Sequence, residues 1–266
     1  MSQYKGKVLT IAGSDSSGGA GIQADIKTIS SLGCYAASCI TSVTVQNTMQ
    51  VYQVHNIPQD IIIGQIEAVL SDITIDAIKI GMLQSHDVIT AVANSLPSNI
   101  PIIVDPVMIS TSNFKLMNDS SVFHFIEHIL PKATVITPNI LEAEILTNTK
   151  IIDEYCMKQA SKILKSLGTK SVLIKGGHLN RETIDNIFLT EDDQIFNFSH
   201  HRIPHNELHG TGCTLSSAIA SFVSQKIPIS DSIDLAIQYL LNTIKTIPKI
   251  GKGHNPVFHN YNIINN

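Results

Sequence analysis

What the chain lacks narrows it before any motif is read. It has no tryptophan, only 5% aromatic and 15% charged residues, and 18 basic against 22 acidic side chains with no basic block. A surface that tracks nucleic acid needs such a tract, interleaved with aromatics, so nucleic acid is not an expected partner. The 4 cysteines, Cys34, Cys39, Cys156 and Cys213, form no C-x-x-C pair and are too sparse for a disulfide scaffold. Reduced thiols in a cytoplasm are the expectation. The first apolar run, Val8 to Gly13, is too short for a signal-peptide core and soon meets Asp15. The uncharged stretch from Gly33 to Val54 has spanning length, but its Ser, Thr, Gln and Asn content argues against a membrane helix.

What is present describes a globular protein. At 266 residues and 43% hydrophobic content the chain can bury a large core. There is no linker, low-complexity tract or fixed-period repeat, so residues 1–266 are expected to form one domain. Buried-type strands (Lys7 to Ala12, Ala77 to Leu83, Pro101 to Met108, Ala133 to Thr137, Ser171 to Lys175) alternate with helical patterns. That alternation predicts an α/β fold whose mostly parallel sheet is covered on both faces. Ligands of such folds gather beyond the carboxyl ends of the strands.

The chain is organised around His209-Gly210-Thr211-Gly212-Cys213-Thr214, where small residues open an apolar helical pattern. A turn of this kind brings free main-chain N–H groups together at a helix N-terminus, which suits an anion. Gly210 and Gly212 permit the backbone angles, and the helix dipole is expected to lower the Cys213 thiol pKa. A glycine turn that merely starts a helix, with Cys213 as a small buried hydrophobe, explains the same residues.

Other candidates follow the strands. Gly13 to Gly21 is a glycine-rich turn between a strand and a helix, a plausible ligand loop. No Lys-Ser or Lys-Thr pair closes it as in a P-loop, and no acid lies between Asp25 and Asp60 to hold a dinucleotide ribose. Gln46, ending a strand, can read the edge of a flat heterocycle or be an ordinary turn amide. Asp105 ends a strand where a carboxylate either caps a turn or organises Mg²⁺ near phosphates. Asn139 and Glu142, three apart, either face one cleft or form a capping box. Lys175 emerges from a buried strand into Gly176-Gly177, where it meets phosphates or snorkels to solvent. His124-Phe125-Ile126-Glu127-His128 inverts a zinc-protease pattern, but without a third ligand nearby in the sequence a metalloprotease is not expected.

Taken together, the segment Thr10 to Thr28, Val45-Gln-Asn-Thr48, Lys79-Ile-Gly-Met-Leu83, Val104-Asp-Pro-Val-Met108, Thr137-Pro-Asn139, Lys175-Gly-Gly-His178 and His209 to Thr214 resemble one family across nearly the whole chain. It is the bacterial hydroxymethylpyrimidine and phosphomethylpyrimidine kinase of thiamine synthesis. The resemblance implies a ribokinase-like three-layer α/β/α fold, ATP and Mg²⁺ as cofactors, a small-molecule pyrimidine substrate and a homodimer. By it, Gly210, Thr211 and Gly212 form the anion hole and Cys213 is the base. Lys175 meets ATP phosphates, with Asn139 and Thr211 on the nucleotide side, while Asp105 and Glu142 hold Mg²⁺. Gly13, Asp25, Gln46, Met82 and Val107 line the pyrimidine. Two departures stand out: Ile109-Ser110-Thr111-Ser112-Asn113-Phe114 replaces an Ala-Lys-Ser-Gly-like flap, and Gly253-His254-Asn255-Pro256-Val257 replaces Gly-x-Gly-Pro-Val. A pyridoxal or pyridoxine kinase of the same fold is the nearest alternative. A non-catalytic pyrimidine-binding regulator would keep the pocket, but intact Cys213, Lys175 and Asp105 argue against it.

Overall fold

The computed structural model describes residues 4–109, 116–179, 181–204, 208–245, 247 and 249–261. The departing flap, residues 110–114, and Thr246, with which the helical pattern from Ser230 to Thr246 ends in the sequence, lie outside them. The strands are β1 (Lys7–Ser14), β2 (Tyr35–Gln46), β3 (Val51–Asn56), β4 (Ala77–Ile80), β5 (Ile102–Val104), β6 (Val135–Ile136), β7 (Ser171–Lys175), β8 (Thr183–Leu189) and β9 (Ile195–His201). They form one sheet in the order β3-β2-β1-β4-β5-β6-β7-β8-β9. From β2 to β7 all neighbours are parallel, while β3, β8 and β9 add antiparallel edges. The mostly parallel sheet expected from the alternation is therefore present.

Side chains of each strand alternate between two cores, as the pleat requires. Leu9, Ile11, Ile78, Ile80, Ile102, Val104, Val172 and Ile174 pack on one face, with Val8, Ala77, Ile103 and Leu173 on the other. The first face is covered by α2 (Gln59–Asp72), α3 (His86–Ser95), α4 (Asp119–His128), α5 (Ile140–Thr147) and α6 (Glu154–Ser166). The second is covered by α1 (Gly21–Ser31), α7 (Thr211–Ser224) and α8 (Ile229–Lys245). Central strands sandwiched this way are apolar on both sides, which is why they read as continuous runs.

The strands expected over 77–83 and 101–108 are shorter than their apolar runs. Pairing stops at Ile80 and Val104. After Val104, Pro106 offers no N–H to a ladder, and the N–H of Val107 turns back to the Asp105 carbonyl at 2.8 Å. Asp105 is thus delivered to the carboxyl edge of the sheet rather than held within a strand. Three short elements have no strong local pattern: β10 (Leu208–His209), β11 (Asn255–Pro256), which pairs with it in parallel, and a 3₁₀ turn at Gly176–His178. Among the described residues no helix is long and apolar enough to cross a membrane.

Candidate active site at the carboxyl edge of the sheet

Side-chain caps close the N-termini of α3, α4, α5 and α6, through Ser85, Asn118, Asn139 and Asp153. Helices α1, α2 and α7 have none; the cap of α7 is Gly210, at φ +83°, which has no side chain to offer the first-turn N–H groups. Glycine is required, since a Cβ on Gly210 would lie 1.9 Å from the Gly19 carbonyl oxygen. Gly212 packs against the Lys175 and Asp105 side chains. A Cβ there would lie 3.2 Å from both Lys175 Nζ and Asp105 Oδ2.

Lys175, the last residue of β7, donates to Asp105 Oδ1 at 2.8 Å, its side chain 14% exposed against 2% for Asp105. Burial alone would pull the Lys175 ammonium down, but Asp105 and Glu142 outweigh it and hold its pKa above the ordinary value. A second pair lies deeper. Lys79 Nζ, in the middle of an otherwise apolar strand, donates at 2.9 Å to both oxygens of Asp25, and both side chains are fully buried. Thr10 and Ser217 complete that carboxylate with donors at 2.6 and 2.7 Å. Burial would likewise lower the Lys79 pKa, but Asp25 outweighs it, so the Lys79 ammonium stays charged.

The half-buried Cys213 thiol sits within the electrostatic reach of both pairs and accepts the N–H of Gly21. Here the expectation of a lowered thiol pKa is corrected. Burial pushes it up to about 12, and Lys79 and the Gly21 N–H only oppose that rise. Sequence displays the helix N-terminus but not the desolvation, and desolvation is the larger effect.

Asn139 and Glu142 form a complete capping box at the start of α5. Asn139 Oδ1 accepts the Glu142 N–H at 2.9 Å, and Glu142 Oε2 accepts the Asn139 N–H at 2.8 Å. The two local readings are not exclusive, because the box also stations Glu142 beside Lys175 and Asp105. Burial, reinforced by the negative Asp105, lifts the Glu142 carboxyl to about 7, with Lys175 opposing. Asn139 bridges Lys175 along the strand end.

On the other side, Gly13 touches Met82: a Cβ there would lie 2.4 Å from the Met82 methyl. Gln46 ends β2, its Oε1 accepting from the Thr44 hydroxyl at 3.1 Å and its nitrogen 3.2 Å from His209 Nε2. Val107 sits in the half-buried turn after Asp105. Asp25 differs from its expected place on the pyrimidine. Its carboxylate is sealed by Lys79, Thr10 and Ser217, so it underlies the pocket rather than lining it. The glycine-rich loop is also not an open cradle. Its N–H groups at Ser17, Gly19 and Ala20 donate to its own Asp15 carboxylate at 2.8, 3.1 and 2.8 Å.

Asp15 further accepts from His209 Nε2 at 2.8 Å. Burial acts to raise its pKa, but the bonds from His209 and Ser17 win and hold it below the carboxylate range. Lys79, Ser217 and the Asp15–His209 pair were not singled out from the sequence as site residues. A lysine inside an apolar strand is the one signal that calls for a buried acid partner.

Main-chain donors at a helix N-terminus, a lysine–aspartate pair and a thiol, all beyond the carboxyl ends of a parallel sheet, define a ribokinase-like small-molecule kinase. The comparisons agree. The chain belongs to the phosphomethylpyrimidine kinase family, whose model matches residues 15–258. It is 42% identical to the thiamine biosynthesis bifunctional protein ThiED of Geobacter sulfurreducens over 96% of this chain, and spans about half, 52%, of that protein. It is 41% identical to the hydroxymethylpyrimidine/phosphomethylpyrimidine kinase of Haemophilus influenzae, covering 97% of this chain and 98% of that one. The pyridoxal kinase of Staphylococcus aureus, solved with AMP-PCP and pyridoxal, superposes with a TM-score of 0.89 at 32% identity, covering 97% of this chain and 95% of that one.

Proposed function

We propose that this chain transfers the γ-phosphoryl group of ATP to the hydroxymethyl oxygen of 4-amino-5-hydroxymethyl-2-methylpyrimidine, and then phosphorylates the monophosphate to the diphosphate, in thiamine synthesis. The observation that carries the reading is that Gly212 abuts the Lys175–Asp105 pair, with the Cys213 thiol within electrostatic reach of both residues. Phosphoryl transfer asks chiefly for alignment and charge stabilisation. In this assignment the N–H groups of Gly210, Thr211 and Gly212 receive the transferring group, Lys175 meets the ATP phosphates and Asn139 lies on the nucleotide side. Gln46 reads the ring amine and its neighbouring nitrogen between Gly13, Met82 and Val107.

Asp105 and Glu142 suit Mg²⁺: two carboxylates lie within electrostatic reach of each other in a buried edge, where burial first and Asp105 second disfavour the charge on Glu142 that a cation would stabilise. Hard cations take such oxygen donors. When bound, Mg²⁺ supplies neutralisation of phosphate charge. The reading also places the chain in the cytoplasm, where Cys213 stays reduced, and as a homodimer, which light scattering checks.

Cys213 takes the hydroxymethyl proton. At about 12 the thiol is protonated in the substrate-free chain, so in this assignment it first gives its own proton to solvent and then, as thiolate, accepts the hydroxymethyl proton. Alkylation of the free thiol and the pH profile of kcat therefore report different ionisations. Cys213→Ala is expected to lower kcat by on the order of 10² to 10⁴ while ATP binding persists. Near-normal turnover removes the proposed base. A second reading, pyridoxal kinase, is favoured by the Staphylococcus aureus neighbour. Single-turnover assays offering hydroxymethylpyrimidine, its monophosphate and pyridoxal separate the two, and ligand binding with no ATP consumption on any of them would indicate the regulator.

A further inference from the structure

The helical motif His124-Phe125-Ile126-Glu127-His128 takes no part in the site above, yet the fold builds something around it. Phe125 is fully buried and anchors the inner face of α4, which turns the other face outward. There His124, Glu127 and His128 each offer a ligand atom, all within 4.8 Å of one another. The His128 Nε2 lies 3.7 Å from Glu127 Oε2, their side chains 40% and 74% exposed, so an ion has free access.

The neighbouring helix α3 holds this group in place. The ring of His86 stacks on His124 with centroids 4.0 Å apart and 17° between planes. His124 in turn meets His128 edge to face at 4.1 Å. The hydroxyl of Thr90 lies 2.8 Å from His124 Nε2. In the tautomer whose Nε2–H donates to Thr90, Nδ1 carries the lone pair, and a hydrogen bond of this kind on the second ring nitrogen is how metal-binding imidazoles are oriented.

We propose that His124, His128 and Glu127 form a surface binding site for a first-row divalent transition metal, Zn²⁺ serving as the probe, with Thr90 as its orienting partner. Two imidazoles and one carboxylate suit Zn²⁺, Ni²⁺ or Cu²⁺ and not the all-oxygen preference of Mg²⁺ or Ca²⁺. Histidines at i and i+4 share one helix face, and this is the spacing that lets one helix supply both. Among the described residues no further His, Cys, Asp or Glu joins the group, so water completes the coordination. The site binds a metal and carries no hydrolytic chemistry, since Glu127 is itself a ligand rather than a base aimed at one. It is independent of the kinase assignment.

Tag-free chain carrying Cys213→Ala, so that the active-site thiol offers no competing ligand, is titrated with Zn²⁺ by calorimetry and with Co²⁺ by its visible spectrum. With excess Mg²⁺ present to fill the proposed Asp105–Glu142 site, one Zn²⁺ or Co²⁺ per chain is expected. His128→Ala is expected to weaken binding ~10-fold or more, and Thr90→Val, which touches no metal, by about 10-fold. Circular dichroism melts verify that each variant folds, and in a chain with Cys213 intact His128→Ala leaves kinase turnover unchanged. No uptake by the parent, or equal affinity in His128→Ala, overturns the site. Equal affinity in Thr90→Val overturns the built arrangement and leaves only adventitious surface imidazoles.

Discussion

Two lysine–carboxylate pairs stand near the Cys213 thiol, and they differ in access. Lys79 and Asp25 are sealed, 0% exposed on both sides, with Thr10 and Ser217 filling the remaining carboxylate positions. Lys175 and Asp105 share one short bond at the cleft, where the lysine keeps 14% exposure and donors to spare. The same two residue types therefore serve opposite ends. A buried pair whose every oxygen is satisfied is fixed and acts as a charged floor, whereas an open pair can exchange its partner for a phosphate or a cation.

The sharpest way to break this comparison is Lys79→Met. It leaves Asp25 buried and short of its strongest donor, and removing one partner of such a pair destabilises by about 3–5 kcal/mol. Urea unfolding measures it. The double variant Lys79→Met with Asp25→Leu is expected to recover most of the loss, because replacing both charges by apolar volume is often neutral. A single variant as stable as the parent would mean that the pair is not sealed in solution.

Lys175→Met tests the open pair, with the effect moved from stability to rate. Turnover is expected to fall on the order of 10² to 10³, the scale for losing one stabilising donor. Stability falls less than for Lys79→Met, since water entering from the cleft takes the ammonium's place beside Asp105. Steady-state kinetics and a urea curve on the same preparation decide it. Equal stability losses in the two lysine variants would erase the distinction.

A smaller effect probes how completely the floor is satisfied. Ser217→Ala removes the 2.7 Å donor to Asp25 Oδ1, and a hydrogen bond to a charged group contributes about 1.5–3 kcal/mol. The loss is expected to appear in unfolding, and turnover per folded molecule stays within a few-fold. Thr10→Val is expected to behave alike, because its hydroxyl fills the other oxygen.

Much of the open pair was legible before folding, and little of the sealed one. Lys175 follows a buried run and precedes Gly176-Gly177, so its emergence at a strand end is written locally, as is the helix start at Gly210. Lys79 and Asp25 are 54 positions apart, and only the packing of α1 on β1, whose parallel neighbour is β4, brings them together. The Asp15 loop shows the same limit. Its glycines signal a donor-rich turn, but which acceptor occupies it, an outside phosphate or its own carboxylate, depends on backbone angles that composition does not state. The Cys213 thiol was read in the wrong direction for a related reason, since a dipole is visible in sequence and burial is not.

The smallest expected effect concerns Glu142, the second carboxylate beside the open pair. Its ordinary pKa is that of an exposed glutamate, and in the fold burial and Asp105 lift it to about 7. Between those values the native chain holds a proton that the unfolded chain has lost, so the contribution is present at low pH and is lost as pH rises through about 7. Glu142→Gln keeps the capping box, because glutamine also bonds back to the cap, and removes the titration. The parent's Tm is therefore expected to fall relative to the variant's between pH 5 and 8, each kcal/mol moving Tm by about 2–4 °C in a chain near this size. In the proposed site Mg²⁺ on ionised Glu142 would work against that fall: adding Mg²⁺ is expected to raise the parent's Tm more at pH 8 than at pH 5, and to raise that of Glu142→Gln less than the parent's at pH 8. Parallel melting curves with Mg²⁺ and with a chelator decide it, and equal shifts in parent and variant would remove Glu142 from the metal's ligands while leaving its role as a cap.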